Sequence, residues 1–253
     1  MSAPNDLQQY LDMLERLRQE PFNVATTAKL ENHPFVQAAE NGTLTLAQRR
    51  AFACEQLAIQ QSDAASFGHL AGNIGFCPPS LTQATMPDPI SKVGDDSTVP
   101  NLFYFLLGGE LYASKLLLEH AKSLGFETEE AIQAHAPRSA LAQAYPSYWA
   151  RLALQGQAGP AAAACAVNFP AWGDMCRKLH ECLASNEELY GYSGRDDPGL
   201  AFIGFFAAPI DNLDEMAASI MKQESVSYQD LLEAVRHLQE YEILFWDAVF
   251  EAK

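Results

Sequence analysis

The chain has 253 residues, of which 48% are apolar and 19% charged, a composition that fits a globular protein able to bury a sizeable core. With 32 acidic against 16 basic residues the formal charge is −16, which argues against nucleic acid and against an anionic membrane surface as partners, since both need a basic face. The five cysteines (Cys54, Cys77, Cys165, Cys176, Cys182) are odd in number and lack CxxC spacing, so free thiols in a reducing cytoplasm are expected. No basic-then-apolar leader is visible, and the most apolar stretch, 199–210, is too short to span a bilayer.

Helix signals dominate from the start. Leu, Tyr and Met recur at helical spacing over 5–19, and a short helix over 34–41 opens on Pro34, a favoured first-turn position. A long helix is expected over 46–73 with Thr45 as its cap. The proline-rich segment 75–100 then reads as a long loop, the kind that often serves as a lid or binding loop. Further helices are expected over 101–124, 128–135, 139–155, 160–184, 197–222 and 227–251, with Pro146, Pro170 and Pro209 kinking or splitting those that contain them. No period-2 alternation suggests a strand. The expected architecture is all-α, one domain over 1–253 built as a bundle of about seven to nine helices.

The last helix poses a chemical question. Leu231, Val235, Leu238, Phe245 and Val249 make one apolar stripe, and Glu242 falls inside it, while Glu233, Glu240, Asp247 and Glu251 fall on the opposite side. Glu242 is therefore expected to point inward, and a buried carboxylate must be paired, hydrogen-bonded or protonated. It is either a structural acid tied to a backbone group or a buried arginine, or a functional acid lining a pocket. On 46–73, Glu55 shares a stripe with Phe52, Ile59, Ser62, Ser66 and Leu70, with Gln56, Gln60, Gln61 and Asp63 around it. Aromatic residues cluster at 103–105, at Tyr145, Tyr148 and Trp149, at Phe169 and Trp172, and at Phe202, Phe205 and Phe206; most are expected in the core, and some could line a pocket for a flat ring.

Other chemistries lack support. No Glu or Asp stands three residues before any of the six histidines, so a helical di-metal site is not expected and no metal ligand is assigned. GxxxxGK[ST], GxGxxG and GxSxG are all absent, so neither a nucleotide cofactor nor a hydrolase nucleophile elbow is expected.

HPFVQAAENGTLTLAQRRAFACEQ (33–56) and EYEILFWDAVFE (240–251) resemble the opening segment and the last helix of the TenA and PqqC superfamily, the latter through its Glu-x-x-Phe-Trp-(Asp/Glu) pattern. The resemblance implies a heme-oxygenase-like helical bundle over about 33–251. TenA-type thiaminases hydrolyse aminopyrimidines from thiamin breakdown, and their pocket acid and phenylalanine correspond to Glu242 and Phe245. Their Pro-Cys-x-Trp segment matches Pro146-Ser147-Tyr148-Trp149, with Ser147 in the nucleophile's position, and their Gln-Asp pair matches Glu55-Gln56. The expected tyrosines are replaced by Leu57, Ala58 and Ile59, and the ligand positions of the superfamily's di-metal oxidases fall near Ala113, Ala166, Asn212 and Met216, leaving only Glu55.

The resemblance thus implies a metal-free, cofactor-free pocket for a small flat nitrogen heterocycle. Glu242, Ser147 and Glu55 would be its catalytic groups, with Gln56, Phe245, Trp149, Trp172 and Tyr148 as substrate contacts. A homo-oligomer is expected. Alternative readings are a non-catalytic ligand-binding member and an oxidase, either metal-dependent or PqqC-like.

Overall fold

The computed structural model describes residues 6–73, 102–135, 138–224 and 226–253, and the proline-rich 75–100 segment lies outside them. The helices are α1 (Asp6–Gln19), α2 (Pro21–Glu31), α3 (Pro34–Glu40), α4 (Leu46–Asn73), α5 (Leu102–Ser123), α6 (Glu129–His135), α7 (Ala144–Leu154), α8 (Ala158–Ser185), α9 (Glu187–Tyr190), α10 (Ala201–Phe206), α11 (Leu213–Glu224) and α12 (Tyr228–Phe250), with a 3-10 turn at Pro198–Leu200 before α10. No strand occurs among the described residues. None of their helices is long and apolar enough to cross a membrane.

The helix boundaries follow from local chemistry. Thr45 Oγ1 accepts from Gln48 N at 3.2 Å while Gln48 Oε1 accepts from Thr45 N at 2.9 Å, a reciprocal cap that starts α4. Gln48 Nε2 also donates to Phe250 O at 2.6 Å, tying the start of α4 to the end of α12. His33 caps α3 by accepting from Phe35 N through Nδ1 at 3.2 Å, so its Nε2 carries the proton that it donates to Asp247 at 3.1 Å. Helix α8 is capped from a distance: Glu224 accepts from Ala158 N at 3.2 Å and Gly159 N at 2.6 Å, where a carboxylate meets the positive end of the helix. Gly159 makes this approach possible, because a Cβ there would lie 2.4 Å from Val226 Cγ1.

The prolines behave in three ways. Pro209 lies between α10 and α11, so the helix expected over 197–222 is divided. Pro146 stands in the first turn of α7, where no intrahelical N–H is needed, and does not break it. Pro170 sits inside an α8 that runs on through it, so of the expected kink or split the split does not occur. Its missing N–H frees the carbonyl four residues earlier, Ala166 O, and that oxygen accepts from Arg18 Nη2 at 2.9 Å instead. Arg18 also pairs with Asp214, at 2.7 Å through Nη1, so one guanidinium joins α1, α8 and α11. Helices α2 and α9 were not anticipated; α2 buries only Asn23, Thr26 and Leu30, too few to show an apolar period.

Helix α8 packs against α11, α12, α10 and α3, and its small buried residues Ala161, Ala162, Ala163 and Ala164 let neighbours come close. One core region is aromatic, built from Phe35, Phe52, Trp172, Phe202, Phe245 and Trp246. The other lies around Phe67, Phe103, Trp149 and the alanine run of α8.

Candidate functional site

Between these regions lies a cavity of about 1020 Å3. Gln56, Ile59, Gln60 and Asp63 reach it from α4; their spacing of three and four residues puts them on one face. Phe105, Leu106, Gly109, Glu110 and Tyr112 line it from α5, Tyr145 from α7, Phe169 and Trp172 from α8, and Glu242 and Phe245 from α12. Flat apolar walls carrying a few polar groups suit a flat ligand with defined polar edges.

Glu242 is 2% exposed. Asn168 Nδ2 donates to its Oε2, and Trp246 Nε1 donates to its Oε1 at 3.2 Å. Burial raises its pKa and the two donors oppose the rise, leaving it at about 7. A carboxyl group poised there gives and takes a proton near neutral pH. The inward position expected from the stripe is observed, and its partners are an amide and an indole.

Two further acids share the cavity. Asp63 and Glu110 both have pKa values raised, chiefly by burial; the neighbouring Glu110 raises Asp63 further, and a hydrogen bond from Gln60 partly offsets the rise at Glu110. Two carboxyls so placed do not both ionise readily, so the pair keeps a proton. Burial, with Asp63 and Glu242 nearby, also holds the Tyr145 phenol neutral.

The residues singled out in the sequence divide between two places. Glu242, Gln56, Phe245 and Trp172 lie on the cavity wall. Glu55 does not: its carboxylate accepts from Ser139 N at 2.8 Å and Gln143 Nε2 at 2.6 Å, fastening the approach to α7. Trp149 is fully buried against Phe67, Tyr145 and Phe169, and Tyr148 packs on His237 and Tyr241, so neither contacts the cavity. Ser147 is exposed on α7 and its hydroxyl donates to Gln143 O at 2.7 Å. The helix turns its side chain away from the cavity, so the expected nucleophile role finds no geometric basis. Ser147→Ala is accordingly expected to leave ligand binding unchanged and stability within about 0.5 kcal/mol, as for an ordinary surface position; calorimetric titration and urea unfolding check this.

The sequence places Asp63 only among the polar neighbours of Glu55, and Glu110 goes unread although it is the lone acid in the apolar run 102–118. That is the signal that marked Glu242. The described wall carries carboxyl groups but no histidine and no cysteine. Among the described residues, no group of three or more His, Cys, Asp or Glu is arranged to hold a metal ion.

The family model described as TENA/THI-4/PQQC matches residues 24–252. The chain belongs to the TENA/THI-4/PQQC family. A crystal structure of a TenA homolog from Pseudomonas syringae pv. tomato str. DC3000 superposes with a TM-score of 0.62, covering 99% of this chain and 94% of that one at 14% identity. At that identity the likeness establishes the shared all-α fold. No curated protein matches the sequence.

Proposed function

We propose that the cavity binds a small, flat, nitrogen-containing heterocycle of the aminopyrimidine type and that Glu242 handles the proton on its ring. The observation that carries this reading is a carboxyl group with a pKa of about 7, buried on the wall of an aromatic-lined cavity. Protonated, Glu242 donates to a ring nitrogen; ionised, it accepts an N–H from the ring. Trp172, Phe169 and Phe245 offer faces and edges to a flat ring. Family membership supports hydrolysis in which water replaces an amino group, releasing ammonia and leaving an alcohol. With Ser147 outside the cavity, water itself would attack the carbon, and Glu242 would protonate the ring to activate the departing group.

A second reading has a specific observation behind it. No serine or cysteine stands among the described wall residues. Without a covalent nucleophile the protein could hold its ligand without turning it over.

The test is 4-amino-5-aminomethyl-2-methylpyrimidine, followed by calorimetry for binding and by chromatography for the alcohol and ammonia. Binding with turnover, both lost in Glu242→Gln, is the expected result. Binding without product selects the second reading. Binding that persists unchanged in Glu242→Gln removes Glu242 from the site.

A further inference from the structure

One wall of the cavity is rich in acceptors and short of donors. Gln60 Oε1, Asp63 Oδ1 and Glu110 Oε2 are shielded from solvent and have no hydrogen-bond partner. Their side chains belong to residues only 2%, 4% and 9% exposed. Gln60 and Asp63 stand one turn apart on α4, and Glu110 stands on α5, which packs against it. An unpartnered buried acceptor costs roughly 1–3 kcal/mol. The three residues line one cavity wall and hold these oxygens just behind it, so a carboxyl or amide rotation brings them to a donor carried by a ligand.

We propose that Gln60, Asp63 and Glu110 form a subsite for a protonated nitrogen group, an ammonium or amidinium, carried by the ligand apart from the ring that Glu242 handles. This rests on the reading of the cavity as a ligand site and adds the charge class of the ligand. An amidinium or ammonium supplies several N–H donors and one positive charge, which the three oxygens and the acid pair lack. At about 1020 Å3 the cavity is at the upper end of the usual range for small-molecule pockets, larger than a single pyrimidine ring requires. A ring with a charged appendage fits it better. Asp174, Asp211, Asp214 and Glu215 also line the cavity, against two cations. Arg18 is paired with Asp214, and Arg177 with Asp174 at 2.6 Å, so the balance favours cation entry.

The protons balance. Without ligand, the acid pair retains a proton because burial and mutual repulsion oppose full ionisation. When the cation docks, that proton passes to solvent and a carboxylate–cation pair replaces it. The titratable groups facing the pair from other elements are Tyr145 of α7 and Cys165 of α8, both held neutral mainly by burial. Glu242 of α12 lines the same cavity, and the cations Arg18 of α1 and Arg177 of α8 already have carboxylate partners.

The probes are benzamidine and its neutral isostere benzamide, titrated calorimetrically into the intact protein in two buffers of different ionisation enthalpy. Benzamidine is expected to bind with release of about one proton, while benzamide binds far more weakly. Glu110→Gln and Asp63→Asn, with folding checked by circular dichroism, are expected to weaken benzamidine roughly tenfold or more, the scale of a lost charged hydrogen bond. Equal binding of the two probes, or benzamidine affinity unchanged in both variants, overturns the proposal. If a variant does not fold, the wild-type measurement decides: benzamidine binding with no proton released also overturns it. Glu242→Gln is a separate arm whose effect on the aminopyrimidine tests the ring reading alone.

Discussion

Trp246→Ala is expected to destabilise the protein by roughly 3–5 kcal/mol, the range for removing a fully buried large aromatic side chain. The indole is 0% exposed. Its ring lies 5.3 Å from that of Phe35, 5.8 Å from Phe52, 5.4 Å from Trp172 and 5.1 Å from Phe245, so it is the hub joining α3, α4, α8 and α12. Alanine would leave a hole beside an existing cavity, where the three long helices α4, α8 and α12 cannot all close in. It would also delete the Nε1–H donor to Glu242, removing one of the two hydrogen bonds that favour the ionised carboxylate. Trp246→Phe separates the effects: it keeps most of the packing and loses the donor, so its stability cost is smaller while Glu242 should still titrate higher. Urea unfolding followed by circular dichroism measures both variants. A loss below about 1 kcal/mol for the alanine variant would mean that the aromatic hub is not what holds these helices together.

The 3.6-residue period of α12 placed Phe245 and Glu242 inward because the helix packs along a single stripe, and the outward acids are exposed as that period requires. Thr45 and Pro34 marked helix starts because capping is a local property. Ser147 and Glu55 fared differently. Ser147 came from motif matching along the chain, but on α7 a turn of helix decides whether a side chain meets the cavity or solvent; Glu55, read also from the α4 stripe, is buried as that stripe requires but faces Ser139 and Gln143 rather than the cavity. Trp149 and Tyr148, two and one residues beyond Ser147, occupy the buried face of α7. Pro170 shows another limit. Local rules expect a kink or a break; the helix runs on, and Arg18, 148 positions before Ala166, supplies a donor for the freed carbonyl. The Asp63–Glu110 pair depends on α4 and α5 meeting across the 74–101 segment. No local period could bring them together, though the apolar surroundings of Glu110 were visible.

In Glu242→Gln, the stability difference from wild type is expected to change with pH in a defined direction. The folded-state pKa of Glu242 is raised from 4.5 to about 7, so folding binds a proton at this site. A raised pKa contributes stability that is complete below about 4.5 and is lost as pH rises through about 7. The loss amounts to roughly 3 kcal/mol as an order of magnitude, from about 1.4 kcal/mol per pKa unit. Glutamine keeps the volume and cannot ionise, so the variant lacks this loss. Other groups titrate in the same interval. Asp63 and Glu110 are raised too and act in the same direction, whereas burial lowers His33 and takes His120 to about 4, so these two lose stability as pH falls instead. All four are present in both proteins and largely cancel in the difference. Unfolding free energies at pH 5, 6, 7, 8 and 9 should therefore show wild type equal to or slightly above the variant in acid. They should converge and then cross as the wild-type carboxyl ionises. Ligand response should be absent in the variant throughout. A difference that stays flat from pH 5 to 9 would mean that Glu242 keeps one charge state across the range, leaving it a hydrogen-bonding strut between Asn168 and Trp246 rather than a proton carrier.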